Sequence, residues 1–161
     1  MQLFARDYKI SIDHTDENVF TVNCSLSDSL HNLILTQKVT IEKPRILSGQ
    51  LKVIKAPNER CKQLELLPER LNGLTIDKGF TKAVIDKLGG AGGCVNLVNM
   101  VLVSVPLVIN TSWLYYAHTG KYSFQEIKNI EKQQMSGLCL GYPPDTALES
   151  ENISTKGGEV N

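Results

Sequence analysis

Cysteine is the residue type best placed to do chemistry in this chain. There are four: Cys24, Cys61, Cys94 and Cys139, widely spaced and with no Cys-x-x-Cys pair. Cys94 follows the glycine-rich run GGAGG, Gly89 to Gly93, and opens a long apolar segment. Glycines let the backbone turn tightly and approach another group closely. A helix starting at Cys94 would set its sulfur among unpaired N–H groups, where the dipole favours the thiolate that binds metal or attacks an electrophile. Cys61 follows Pro57 at the expected start of a helical stretch, and Cys139 follows Gly137 at the end of the last helix. Side chains beside element ends often carry function. Cys24 shares an apolar face with Phe20, Val22 and Leu26 and reads as core. His31 lies just after Asp28, and a carboxylate at that distance can orient an imidazole as ligand or base. His14 reads as a solvated loop residue and His118 as the end of a helix.

Three soft thiolates from Cys61, Cys94 and Cys139, completed or oriented by His31 or Asp28, would suit zinc or an iron–sulfur cluster. The leading expectation is therefore a metal- or iron–sulfur-binding accessory protein with an unidentified protein partner. Two alternatives stand beside it. One is a thiol enzyme or carrier with Cys94 as nucleophile. The other is a non-catalytic module that binds a small ligand or a protein and uses its cysteines as core. No catalytic set is identifiable, because the Asp and Glu residues are scattered and no Gly-x-Ser-x-Gly, His-Glu-x-x-His or EF-hand pattern occurs. The glycine run lacks the Lys-Ser/Thr ending of a P-loop and follows a helix rather than a strand.

The elements that must position these residues fall into two halves. The first reads as four strands: Leu3 to Ile12, a run from Phe20 to Leu26, another from His31 to Ile41, and Ile46 to Ile54 with Gly49 as a bulge. Polar runs at Asp13–Asn18 and Ser27–Ser29 read as turns, and the short connections predict an antiparallel meander. The second half reads as helices: Glu59 to Leu67, one capped by Asp77 and running to Leu88, the apolar stretch from Val95 kinked or divided at Pro106, and one opened by the Ser123–Glu126 capping box and running to Met135. The expected fold class is α+β, with a mainly antiparallel four-stranded sheet and the long apolar helix packed on it. One domain is expected over residues 1–142, followed by a disordered tail over 143–161.

Of the 161 residues 42% are apolar and 21% charged, and seventeen basic residues balance seventeen acidic ones. That balance argues against capture of nucleic acid or an anionic membrane. Val95–Tyr116 is long enough to span a bilayer, but Asn96, Asn99, Ser104, Pro106 and Asn110 within it favour a buried helix. The start, MQLFARDYKI, has early charges and no apolar core, so it does not read as a signal peptide; a cytoplasmic location with reduced thiols is expected.

Several landmarks occur together in order: LSDSLHNL with Asp28 and His31, PNERC with Cys61, LNG at Leu71–Gly73, Gly79, GGCVNL around Cys94, and GLC at Cys139. In this order the chain resembles the prokaryotic family called domain of unknown function 2889, over Arg6 to Tyr142. The resemblance implies weight for Asp28, His31, Cys61, Cys94 and Cys139, and brings no established activity. Members often read glycine-cysteine-threonine-histidine-leucine where this chain has Gly93, Cys94, Val95, Asn96 and Leu97. Asn96 thus stands in place of a histidine, and an amide neither titrates nor readily binds a transition metal. The layout is also similar to iron–sulfur scaffold proteins of the IscU type, as an analogy of arrangement rather than of motif.

Overall fold

The computed structural model describes residues 1–137 and 140–144. Four strands, β1 (Arg6–Asp16), β2 (Val19–Asp28), β3 (Asn32–Thr40) and β4 (Ile46–Lys55), form one antiparallel sheet in chain order. A 3-10 helix (Glu59–Leu71) follows, then α1 (Phe80–Leu88), α2 (Val95–Ser104), α3 (Leu107–His118) and α4 (Phe124–Met135). This is the α+β architecture expected, with the apolar segment divided at Pro106 into α2 and α3. A proline ring cannot donate to the preceding turn, so the helical run is broken there. The chain divides into two compact units, Met1–Ser112 and Trp113–Asn161.

In the first unit, the even positions of β2 point inward because the side-chain period of a strand is two. Phe20, Val22, Cys24 and Leu26 are all buried, and α2, whose Leu97, Met100 and Val101 are fully buried, packs against β2. The sheet differs from the sequence reading at β1 and at Gly49. β1 continues through Asp13–Asp16, because Asn18 adopts the left-handed conformation (φ 57°) and tightens the turn, while an irregularity near Thr15 absorbs the extra residue. Gly49 is not the bulge. The β3–β4 register slips between Ser48 and Ile46, and Gly49 sits opposite Gln37, where a Cβ would lie 2.9 Å from that of Pro68. Glycine is required there for close approach.

The helix caps follow the same local logic. α1 is capped by Gly79 at φ 98°, not by the Asp77 side chain. Asp77 contributes only its carbonyl, which accepts the Phe80 N–H at 3.0 Å. In the second unit the Ser123–Glu126 capping box is present as predicted and α4 ends at Met135, with Gly137 at φ 73° beyond it. Trp113, Tyr116 and Tyr122 form an aromatic cluster there, with ring centroids 5.7–6.3 Å apart. Residues 145–161, most of the expected tail, lie outside the described residues.

Val95–His118 is long and apolar enough to cross a membrane by length and composition alone, and 44% of its most apolar window is buried within the structure. Leu97, Met100, Val101, Val105 and Val108 are fully buried within the structure.

Candidate functional site

Two features converge on the start of α2. The first is a cleft of about 550 Å³ between the 3-10 helix and the glycine turn. Cys61 and Cys94 both line it, as do Arg60, Arg70, Leu64 and Gly92. The 3-10 helix is set by Asn58, whose side-chain carbonyl accepts the Arg60 N–H at 2.8 Å, satisfying one of the free donors of a helix start. Its far side closes on β4: Glu65 accepts the Val53 N–H at 2.8 Å, and Lys62 Nζ donates to the Val53 carbonyl at 2.6 Å. The Val53 N–H bond, with help from Lys62, holds the Glu65 carboxyl below its ordinary range.

On the other wall, the backbone doubles back after α1. The Cys94 N–H donates to the Leu88 carbonyl at 2.8 Å, and the Gly93 N–H to Gly90 at 3.1 Å. A Cβ on Gly93 would stand 1.9 Å from the Leu88 carbonyl oxygen, so only glycine fits. Cys94 is the N-cap of α2, with extended backbone (φ −150°, ψ 120°) and no side-chain cap bond. Its thiol is therefore not committed to the helix, and both Cys61 and Cys94 are reduced and half-buried.

The second feature is a polar cluster at the end of the sheet. The Asp28 side chain is fully buried. Its Oδ1 accepts the backbone N–H groups of Leu30 and His31, each at 2.7 Å, and lies 3.1 Å from His31 Nδ1. Its Oδ2 accepts from Arg6 Nε at 2.8 Å and lies 2.6 Å from Arg6 Nη2. Burial pushes the Asp28 carboxyl up. The bonds from Leu30, Arg6 and His31 outweigh that and hold it well below the usual carboxylate range. Arg6 Nη1 reaches on to the Asn96 side-chain oxygen at 2.9 Å, tying β1 and β2 to the first turn of α2.

The five residues singled out from sequence are thus distributed unequally. Cys61 and Cys94 share a cleft, although 33 residues separate them. Asp28 and His31 form a pair with each other. Both oxygens of Asp28 are already taken by neighbours, which suits a structural carboxylate better than a metal ligand. Cys139 lies outside the described residues. Among the described residues no group of three or more His, Cys, Asp and Glu side chains is gathered as a metal centre. Cys24 is core, as read: burial pushes its thiol up, opposed by a hydrogen bond with Ser104.

Arg6, Asn96, Arg60 and Arg70 were not read as site residues. Only Asn96 carried any signal, through the resemblance, which implies a histidine at that position, and here its carbonyl does what an amide can do, accepting from a guanidinium.

No curated protein and no solved structure matches this chain. A family model described as "Protein of unknown function (DUF2889)" matches residues 6–109, more than half the chain and nearly all of the first compact unit; the Cys139 landmark lies beyond it. The chain therefore belongs to the DUF2889 family.

Proposed function

We propose that the cleft between the 3-10 helix and the glycine turn is the working site, and that the protein is an accessory protein that holds a soft metal there, as zinc or within an iron–sulfur cluster. The observation that carries this reading is the presence of two half-buried, reduced cysteines, Cys61 and Cys94, on the walls of one cleft. Thiolates select zinc and iron–sulfur clusters over hard cations. Cys139, outside the described residues, would be the third thiolate of the set, and a nitrogen or oxygen ligand would complete it. The function fits a reducing compartment, the cytoplasm, where the thiols stay free. The partner would be another protein, since the balanced charge offers nothing to nucleic acid or an anionic membrane.

A second reading has its own support. Arg60 and Arg70 line the same cleft, and among the described residues no carboxylate does. That favours an organic anion, with Cys94 as a nucleophile or carrier thiol. Anaerobic purification followed by zinc titration and reconstitution with iron and sulfide separates the two. One equivalent of zinc, or a cluster absorption band, lost in both Cys61→Ser and Cys94→Ser, is the expected result. No uptake in either titration rejects the metal, and fast selective alkylation of Cys94 in that metal-free protein would move the case to the second reading.

A further inference from the structure

The two edges of the sheet are treated differently. The outer edge of β4 is sealed twice. At its start Ile46 exchanges bonds with the following loop, its N–H to Leu74 at 3.0 Å and its carbonyl from Gly73 at 2.8 Å. At its end Glu65 and Lys62 satisfy the N–H and carbonyl of Val53. β1 forms the opposite edge, 11 residues long, and among the described residues no strand pairs with its outer side. Long bare edges are templates for strand addition, and proteins usually guard them.

The inward face of β1 is also incomplete. Val22 and Cys24 of β2 are 1% exposed, yet their β1 neighbours Ile12 and Ile10 remain half-exposed, and Tyr8 is 37% exposed. The row of apolar side chains runs to the sheet edge and stops uncovered.

We propose that β1 is the interface for a second copy of this chain, the two β1 strands pairing antiparallel about a two-fold axis through Ser11. Charge and strand overlap together select this register. It sets Lys9 of each copy opposite Asp13 of the other on the outer face, twice by symmetry. On the inner face it sets Ile10 opposite Ile12 and Tyr8 opposite His14. Moving the axis to Ile10 brings Asp7 against Asp13, moving it to Lys9 brings Lys9 against Lys9, and moving it to Asp13 brings Asp13 against Asp13. Moving it to Ile12 leaves Lys9 opposite Thr15 and Asp13 opposite Ser11, with no ion pair formed. Moving it to Tyr8 pairs Lys9 with Asp7, but then only residues 6–10 of each β1 overlap, whereas the axis at Ser11 overlaps the whole strand. Opposite charges directly across a sheet are stabilising and like charges destabilising. Placing the axis midway between two residues would put inward side chains opposite outward ones, so those registers are excluded. The irregularity near Thr15 ends regular pairing beyond His14 and limits how far the strands can slide. The product is a continuous sheet in which both copies keep their buried layers on one side. This surface is independent of the cleft chemistry.

The test is sedimentation velocity on the full chain over a range of concentrations. The wild type should show a dimer. Lys9→Asp and Asp13→Lys should each raise the dissociation constant at least about tenfold, since each creates two like-charge pairs. The combined Lys9→Asp/Asp13→Lys protein should recover the wild-type constant, which also shows that the single variants were folded. Ser11→Cys should form a covalent dimer on mild oxidation that the wild type does not form. A wild type that stays monomeric throughout, a dimer indifferent to either reversal, or a double variant that fails to recover would overturn the proposal.

Discussion

Gly93→Ala should damage the wall that presents Cys94, whereas the same substitution one residue earlier should not. A Cβ on Gly93 meets the Leu88 carbonyl oxygen at 1.9 Å and that of Gly89 at 2.5 Å. The first of these oxygens is the acceptor of the Cys94 N–H. Backbone atoms cannot swing aside as the end of a long side chain can, so the turn itself must open. The hydrogen bond then lost is worth about 1 kcal/mol. Forcing a methyl into filled space adds about 1–3 kcal/mol of strain. The narrower conformational freedom of the unfolded chain returns about 0.4–1 kcal/mol. The net loss is about 2 kcal/mol, or a fall in Tm of about 4–8 °C for a chain of this length. At Gly92 a Cβ meets nothing within 4 Å and the backbone is not left-handed, so Gly92→Ala should hold or raise stability, by up to about 1 kcal/mol. Thermal unfolding of the two variants beside the wild type gives the comparison. Alkylation kinetics of Cys94 give a second readout, since only Gly93→Ala displaces that sulfur. Equal melting of Gly93→Ala and wild type, or an equal fall in both variants, would refute the account of the turn.

Three further outcomes follow from the same packing. Gln37 is fully buried and, among the described residues, neither its Nε2 nor its Oε1 finds a hydrogen-bond partner. Gln37→Met keeps the volume and removes both polar atoms, so urea unfolding should show a gain of about 1–3 kcal/mol; a loss would mean that the amide is bonded. Asp28 has its carboxyl depressed in the folded state, so its contribution is complete above the unfolded value of about 4 and is lost as pH falls through the lower folded value. Asp28→Asn should therefore lower stability at neutral pH and flatten the acid limb below about pH 4, and parallel acid limbs in the two proteins would contradict the assignment. Asn96→Ala removes the acceptor for Arg6 Nη1 and should cost about 1 kcal/mol in urea unfolding, with no cost if that contact is idle.

How much of this was legible in sequence depended on the range of the signal. β2 was plain because every second side chain, Phe20 to Leu26, is apolar and the strand period is fixed. Gln37 shows the same rule against intuition. Its polarity suggests the solvent face, yet its position between Leu35 and Val39 on an alternating strand commits it to the interior. The Asp28–His31 pair was readable because three residues across a tight turn bring the two together whatever the rest of the chain does. Asp77 looked like a cap by type, but Gly79 starts the helix in a left-handed conformation that no propensity scale for side-chain caps would register. Arg6 and Asn96 are 90 residues apart, and nothing local in either announces the other. The meeting of Cys61 and Cys94 is likewise tertiary: it needs the 3-10 helix to lie along β4 and the glycine turn to fold back over the end of α1.

The geometry of α2 explains why the residues that looked like one ligand set separate into two. Cys94 and Asn96 stand two positions apart at a helix start, Cys94 as the extended N-cap and Asn96 within the first helical turn, so their side chains leave the backbone in different directions. One therefore looks into the cleft while the other looks toward the sheet, where Arg6 and Asp28 receive it. A helix terminus is the part of a helix most prone to fray, because its first N–H groups have no partners within it. Fixing Asn96 from behind holds the first turn in place, and a rigid first turn gives Cys94 a defined position with no bond to its own thiol. On this account Asp28 and His31 serve the cysteine from the opposite side of the helix, as supports of its location rather than as partners in coordination. If so, weakening the cluster should loosen Cys94, and Asn96→Ala should change the alkylation kinetics of Cys94, with unchanged kinetics refuting the account.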